Sequence, residues 1–342
     1  MNANGKKRIT IADIARESGY SKTAVSFAFN APERISTNAR EKILRTAGKL
    51  RYIPDPTARN FSLGRHSSIG FLLPQSIDTC LLNPYIIDVM RGLGTVCQEN
   101  GYMLTIIPPL NDSLYEAVKN ATVDGLITMG YLISDGVGSL ADVRAMPLVM
   151  IDGGDSDRFL SVNIDDEGAA YIQLSAALRA GHRKISIVSL PAPTLTPDFN
   201  EKGLIARRFR GYRKALDEFS VDENSLFYFQ SEATYASGLA LADEIMKTQP
   251  TCIVTMSDAQ AYGIMDRLTS IGCSIPDDIS IIGFDNIQQH GCVRKLTTID
   301  QPGIEKGSLA ARTLFSIMNG KKTIKAPVVP HRLIEGGTLR TL

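Results

Sequence analysis

The sequence predicts a two-part chain. An N-terminal all-α helix-turn-helix head with a hinge helix is followed by an α/β body of two doubly wound parallel-sheet units. Three observations lead there. The first 66 residues read as short amphipathic helices, each opened by a capping residue. From Ser67 onward, apolar runs of strand length alternate with amphipathic helices. The charge is also split. Residues 1–66 hold 13 Lys and Arg against 5 Asp and Glu, net +8, and the remainder holds 24 against 31, net −7. The whole-chain value of +1 hides this polarity. A basic head suits a polyanion, and an acidic body does not. At 342 residues the chain is long enough for two or three domains.

In the head, Thr10 caps the first helix, with Asp13 as its capping-box partner. Ser18-Gly19-Tyr20 forms a tight turn. Ser21 caps a second helix, whose Ala24, Val25, Ala28 and Phe29 face inward. "APERIS" is a loop, and Ser36 starts a third helix whose Ile43, Leu44, Ala47 and Leu50 close a small core. Two helices joined by a glycine-containing turn make a helix-turn-helix. In that motif the second helix lies in the major groove, with its N-terminal side chains at base edges. Lys22 and Thr23 occupy that place, and Ser26 and Asn30 follow within reach of phosphates or bases. Phe27 shares their side. Its ring cannot hydrogen-bond, so it either packs on a thymine methyl or is buried against another part of the protein. Asp55, Pro56 and Gly64 then bound a hinge helix over 55–63. At about two turns it needs a packing partner to be ordered.

In the body, "SIGFLLP", "YMLTIIP", "VDGLITMG", "PLVMID", "KISIVSLP", "TCIVTM" and "DISIIGFD" read as buried parallel strands. "PYIIDVMRGLGTVCQENG" and "YASGLALADEIMKTQ" read as helices between them. The repeated alternation implies two doubly wound units. The five cysteines are scattered without a C-x-x-C pair, which suits reduced thiols in a cytosolic protein. No transmembrane run and no signal-peptide core are present, so a cytoplasmic protein without membrane association is expected.

Catalytic signatures are missing. There is no P-loop, no G-x-S-x-G and no H-E-x-x-H, and the four histidines show no metal-ligand spacing. "GLGTVC" near Gly92 has two glycines of a dinucleotide fingerprint but sits inside a helix pattern. No enzyme activity, cofactor or metal is expected.

Three stretches, "TIADIARESGYSKTAVSFAFN", "ISTNAREKILRTAGKLRYIP" and "ARNFSLGRHSSIGFLLP", resemble the lactose/galactose-repressor (LacI/GalR) family of bacterial transcription regulators. The resemblance continues through "NPYIIDVMRGL", "VDGLI", "GHRKISIV", "RFRGYRKAL", "PDDISIIGFDN" and "LTTIDQP", in family order and over nearly the whole chain. It implies a homodimeric regulator, most often a repressor, that is bound to a pseudo-palindromic DNA operator and so associates with the nucleoid. It implies a DNA-binding domain at 1–53, a hinge at 54–66 and a periplasmic-binding-protein-like core at 67–342. Within the core, one subdomain takes about 67–162 and 300–326, and the other about 163–299 and 327–342.

The resemblance also implies site residues. Thr10, Ser21, Lys22, Thr23, Ser26, Phe27 and Asn30 meet DNA from the head, and Ala58, Arg59 and Phe61 from the hinge. Phe61 stands where the family inserts a leucine into the minor groove, and an aromatic ring is a physically suitable wedge; packing against the partner hinge or the body is the alternative. Phe27 stands where an arginine is usual, so family operator sequences are not carried over. A small-molecule effector of carbohydrate type is implied between the subdomains, touching Tyr85, Asp152, Arg208, Asp258 and Asp285. Carboxylates, a guanidinium fork and an aromatic face suit a sugar. Asp258 has a second reading as the cap of the next helix. Ser257 stands where an asparagine is common. A sugar-binding module without sequence-specific regulation is the alternative function. No leucine heptad follows the body, so a coiled-coil tetramer is not expected.

Overall fold

The computed structural model describes residues 9–54, 60, 64–130, 135–154, 158–191, 203–287, 295–321, 325 and 328–342. The chain divides into two compact units, Met1–Ser67 and Ser68–Leu342.

The head unit contains α1 (Ile11–Ser18), α2 (Lys22–Asn30) and α3 (Thr37–Lys49). Local chemistry sets their ends. The Asp13 carboxylate accepts the Thr10 backbone N–H at 3.0 Å and the Thr10 hydroxyl at 2.8 Å. These bonds lower the Asp13 pKa below the usual aspartate value. Gly19 closes α1 in the left-handed region at φ +78°, which a glycine adopts without side-chain strain. Ser21 and Ser36 accept N–H bonds from Ala24 and Ala39, capping α2 and α3. Ile14, Val25, Ala28, Ile43 and Ala47 form the core. The stretch expected to be a plain loop holds a 3-10 turn, Pro32–Arg34. The fixed φ of Pro32 suits its first position.

The body begins with β1 (Ser68–Leu72), α4 (Ile77–Leu81), α5 (Pro84–Glu99), β2 (Met103–Ile107), α6 (Leu114–Asn120) and β3 (Gly125–Met129). It continues with α7 (Asp135–Val143), β4 (Leu148–Ile151), β5 (Leu160–Val162), α8 (Asp166–Arg179), β6 (Ile185–Ser189) and α9 (Leu204–Glu218). Then come β7 (Leu226–Gln230), α10 (Tyr235–Met246), β8 (Cys252–Thr255), α11 (Asp258–Ser270), β9 (Ser280–Asp285), β10 (Thr297–Asp300), α12 (Gly303–Met318) and β11 (Arg332–Ile334). All seven strands expected from apolar runs form. The remaining strands carry little periodic signal: β5 and β11 have three residues, β10 has four, and β7 is the largely aromatic run "LFYFQ".

The first sheet runs β2-β1-β3-β4-β5, all parallel. The second runs β7-β6-β8-β9-β10 in parallel, and β11 adds antiparallel to β10. Each sheet therefore reverses strand order beside its first strand, and ligands of open α/β sheets bind at the carboxyl ends there. After β10 the chain returns to the first sheet, where α12 packs on α5, β3 and β4.

Glycines bring the helix pairs together. A Cβ on Gly92 of α5 would lie 2.0 Å from the Ile304 carbonyl oxygen of α12, and one on Gly307 of α12 would lie 2.1 Å from the Val89 carbonyl of α5. Gly211 approaches the Glu167 carbonyl in the α8–α9 pair in the same way, as do Gly238 and Gly263 between α10 and α11. Gly92 is thus a packing glycine of a helix crossing. Among the described residues, no helix is long and apolar enough to cross a membrane, and four cysteines are free thiols. Cys292 lies outside the described residues.

Substituting Gly92 by alanine forces backbone apart from backbone. We expect Gly92→Ala to lower the unfolding free energy by about 1–3 kcal/mol. A control on the same helix, Gly94→Ala, has open space around its Cβ and should not destabilise; urea denaturation distinguishes them.

Candidate functional site

The head presents one polar face. Val25 and Ala28 are buried, and the opposite side of α2 carries Thr23, Ser26, Phe27 and Asn30, with Lys22 at its first turn. Lys22 and Thr23 are exposed, and the other three are half-buried. Asn30 donates weakly to Ser26 Oγ at 3.4 Å, and its buried Oδ1 has no partner among the described residues. Ser21 uses its oxygen as a cap acceptor, which leaves its hydroxyl hydrogen for a phosphate. Thr10 gives its hydroxyl hydrogen to Asp13. The Phe27 ring lies beneath the guanidinium of Arg34, 4.4 Å from ring centroid to Cζ. Arg34 was not singled out from sequence, because nothing local marks which way a loop side chain turns. Ala58, Arg59 and Phe61 lie outside the described residues.

In the body, a cavity of about 630 Å³ opens at the carboxyl ends of both sheets. Residues after β1, β3 and β4 line one side, and residues after β6, β7 and β8 line the other. Tyr85, Asp152, Arg208 and Asp285 all reach it. Asp152 and Asp285 end or follow their strands in the left-handed backbone region, at φ +53° and +129°. Strain of this kind persists only where surrounding contacts hold it.

Those contacts form a chain of hydrogen bonds. The Tyr85 hydroxyl donates to Asp152 Oδ2 at 2.9 Å. Lys306, 0% exposed, donates to Asp152 Oδ1 at 2.5 Å and to Gln301 Oε1 at 2.8 Å. Gln301 Nε2 in turn donates to Asp285, whose other oxygen accepts the Ser257 hydroxyl at 3.0 Å. Lys306 and Gln301 escaped sequence reading: a lysine in a helix looks like a solvated residue until its 154-residue-distant partner is known.

Arg208 is 1% exposed. Its Nε donates to Asp166 Oδ1 at 3.1 Å, Nη1 donates to the Met256 carbonyl, and the guanidinium lies 3.5 Å from the Phe284 ring centroid. Among the described residues, Nη2 is left for a ligand. Arg207 clamps the other oxygen of Asp166 and also donates to the Gly153 carbonyl across the cleft at 2.8 Å. Arg210 instead pairs with Glu167 at the surface. A second bond across the cleft runs from Gln75 Nε2 to Glu232 Oε2 at 2.9 Å. His182 is buried between Thr251 and the Arg340 carbonyl, a structural position.

Asp258 corrects both of its sequence readings. It does not line the cavity, and Ser257, not Asp258, caps α11 by accepting the Ala259 N–H. Asp258 is fully buried behind the site, where it accepts the Thr298 hydroxyl at 2.6 Å and the Ile287 N–H at 2.8 Å. Burial raises its pKa, and the neighbouring Asp285 charge adds to the rise. Burial also raises Asp285, against the opposing pull of Arg208. Tyr85 is pushed well up by burial and then by Asp152, so its hydroxyl stays a donor.

Residues 10–55 match the family described as bacterial regulatory proteins, lacI family, and residues 175–339 match the periplasmic binding protein-like domain. The chain is similar to the ribose operon repressor of Haemophilus influenzae, with 30% identity over 322 residues, 90% of this chain and 91% of that one. Among solved structures it is similar to a LacI family transcriptional regulator from Enterococcus faecium with bound ribose, at TM-score 0.70 and 25% identity, covering 80% of this chain and 99% of that one. It is also similar to the Lac repressor dimer bound to operator and the anti-inducer ONPF, at TM-score 0.78, covering 97% and 99%. At 21% identity that last likeness is one of fold.

Removing the buried ammonium leaves Asp152 short of a counter-charge. Lys306→Met should cost about 3–5 kcal/mol, and adding Asp152→Asn should recover most of it; chemical denaturation of both variants checks this. The raised aspartates give a second expectation. Above the ordinary aspartate pKa of about 4, the folded state holds protons that the unfolded state has released, so stability falls as pH rises through this window. Asp258→Asn mimics the protonated acid, donating to Thr298 and accepting from Ile287. It should flatten that fall and match or exceed the wild type at neutral pH, read from unfolding curves across pH 4–8.

Proposed function

This chain belongs to the lacI family of bacterial regulatory proteins, and on that premise we propose that it is a repressor whose affinity for DNA is set by a carbohydrate held in the cleft. It is a DNA-binding transcription regulator and not an enzyme. The proposal assigns major-groove contacts to Lys22, Thr23, Ser26, Phe27 and Asn30, with a phosphate contact from Ser21 and a further DNA contact from Thr10. It assigns minor-groove contacts to Ala58, Arg59 and Phe61. Two copies of the chain bind the half-sites of a pseudo-palindrome, in the cytoplasm and on the nucleoid.

One observation carries the effector reading: the cavity takes its walls from the strand ends of both sheets, and Gln75–Glu232 and Arg207–Gly153 bonds cross it. A ligand there touches both halves. Its binding energy therefore differs between open and closed arrangements, which is the condition for coupling to DNA affinity. Arg208 supplies the N–H groups of Nη2, Asp285 and Ser257 supply polar partners, and Ile86, Met129 and Met256 supply apolar wall. Alternating hydroxyl and C–H faces of a sugar match that mixture. The ribose bound to the Enterococcus faecium regulator and the name of the Haemophilus influenzae repressor favour the same ligand class.

The test measures affinity for a duplex selected from a random library, at stated salt, with ribose and a panel of other mono- and disaccharides. One sugar should shift duplex affinity about 5- to 150-fold. Arg208→Lys keeps the charge but loses the Nη2 donors, so it should weaken that sugar at least tenfold and leave sugar-free DNA binding unchanged. A chain lacking residues 1–66 should still bind the sugar. Failure to enrich any sequence, with every sugar present or absent, supports a binding module without regulation.

A further inference from the structure

We propose that Arg34 is a base-reading residue of the head and that Phe27 is the platform that holds it. The proposal rests on the DNA-binding reading above and adds a specificity determinant outside the recognition helix.

Phe27 sits on the outward side of α2 beside Thr23 and Asn30, yet its ring offers no hydrogen bond. Arg34 lies seven positions on, at the end of the 3-10 turn. That turn is set by two backbone bonds, Ala31 N–H to the Phe27 carbonyl at 3.0 Å and Arg34 N–H to the Ala31 carbonyl at 2.9 Å. Pro32 restricts it further. The geometry brings the Arg34 guanidinium over the Phe27 ring, with 4.4 Å from Cζ to the centroid. The side chain is exposed, and among the described residues no carboxylate pairs with it.

Stacking occupies the face of a guanidinium and leaves its N–H edge free. An arginine held this way is pre-organised in a plane, so less freedom is lost when it binds. Its fork matches the paired acceptors O6 and N7 of guanine in the major groove. Arg34 thus stands on the face that α2 turns outward, with a planar donor edge and, among the described residues, no carboxylate partner. The phenylalanine that cannot hydrogen-bond a base carries one residue that can.

The experiment selects bound sequences from a random duplex library with the full-length chain, for the wild type and for Arg34→Ala, Arg34→Lys, Phe27→Ala and Phe27→Tyr. Thermal unfolding of each variant confirms that the head is intact. The wild type should require guanine at one position of each half-site. Arg34→Ala should reduce discrimination at that position about 5- to 150-fold and leave the other positions unchanged. Arg34→Lys should keep non-specific affinity and lose the guanine preference. Phe27→Ala should weaken the same position, and Phe27→Tyr, which keeps a ring, should retain it. Unchanged preference at every position in Arg34→Ala overturns the proposal. That holds also if affinity falls uniformly with a smaller salt slope, which identifies a phosphate contact. If the wild type enriches no sequence under any condition, the DNA-binding reading itself fails and this proposal with it.

Discussion

A buried ammonium group sets the floor of the cleft. Lys306 lies on α12, the helix that returns from the second sheet to pack on the first. Its charge is excluded from water, and a buried charge is tolerated only when paired and hydrogen-bonded. Asp152 and Gln301 meet that demand. In doing so they tie the end of β4 to the crossover after β10, and through Gln301 to Asp285 at the end of β9. The two cleft carboxylates therefore do not move independently. A ligand that donates a hydrogen bond to one changes what the relay must satisfy at the other.

The relay can exist because the helices approach closely. Gly92 and Gly307 let the α5 and α12 backbones touch, which places Tyr85 at the start of α5 and Lys306 in the first turn of α12 on the same aspartate. The sheets add the second requirement. Both reverse strand order next to their first strand, so both present loop backbone at the carboxyl ends. Asp152 and Asp285 adopt positive φ there, and the relay holds them in that strained conformation. Arg207 and Arg208 share Asp166 on the opposite wall, so the guanidinium that faces the cavity is also held from behind.

The head works by other means. It has a small core of five buried residues, and its helix ends are fixed by Thr10–Asp13, Gly19, Ser21 and Ser36. These are contacts over three or four residues, and the sequence states them openly. The Phe27–Arg34 stack is different. It depends on how a 3-10 turn directs a long side chain, and no pattern of residue types reports that direction.

By itself the sequence determined the division into a basic helical head and an acidic α/β body, seven of the strands and the main helices. These follow from period, capping and charge, which are local properties; the residues named for the cleft rest on the family resemblance, with Asp152 and Asp285 also marked by their strand-end positions. Tertiary structure decided the rest. It turned Asp258 away from the cavity into a buried bond with Thr298, gave the cap of α11 to Ser257, and made Lys306 a core residue. It also joined Gln75 to Glu232 across the cleft. The reason is physical. Whether a carboxylate or an ammonium faces solvent, ligand or counter-charge depends on which distant backbone is packed beside it, and here the partners lie 40 to 157 residues apart.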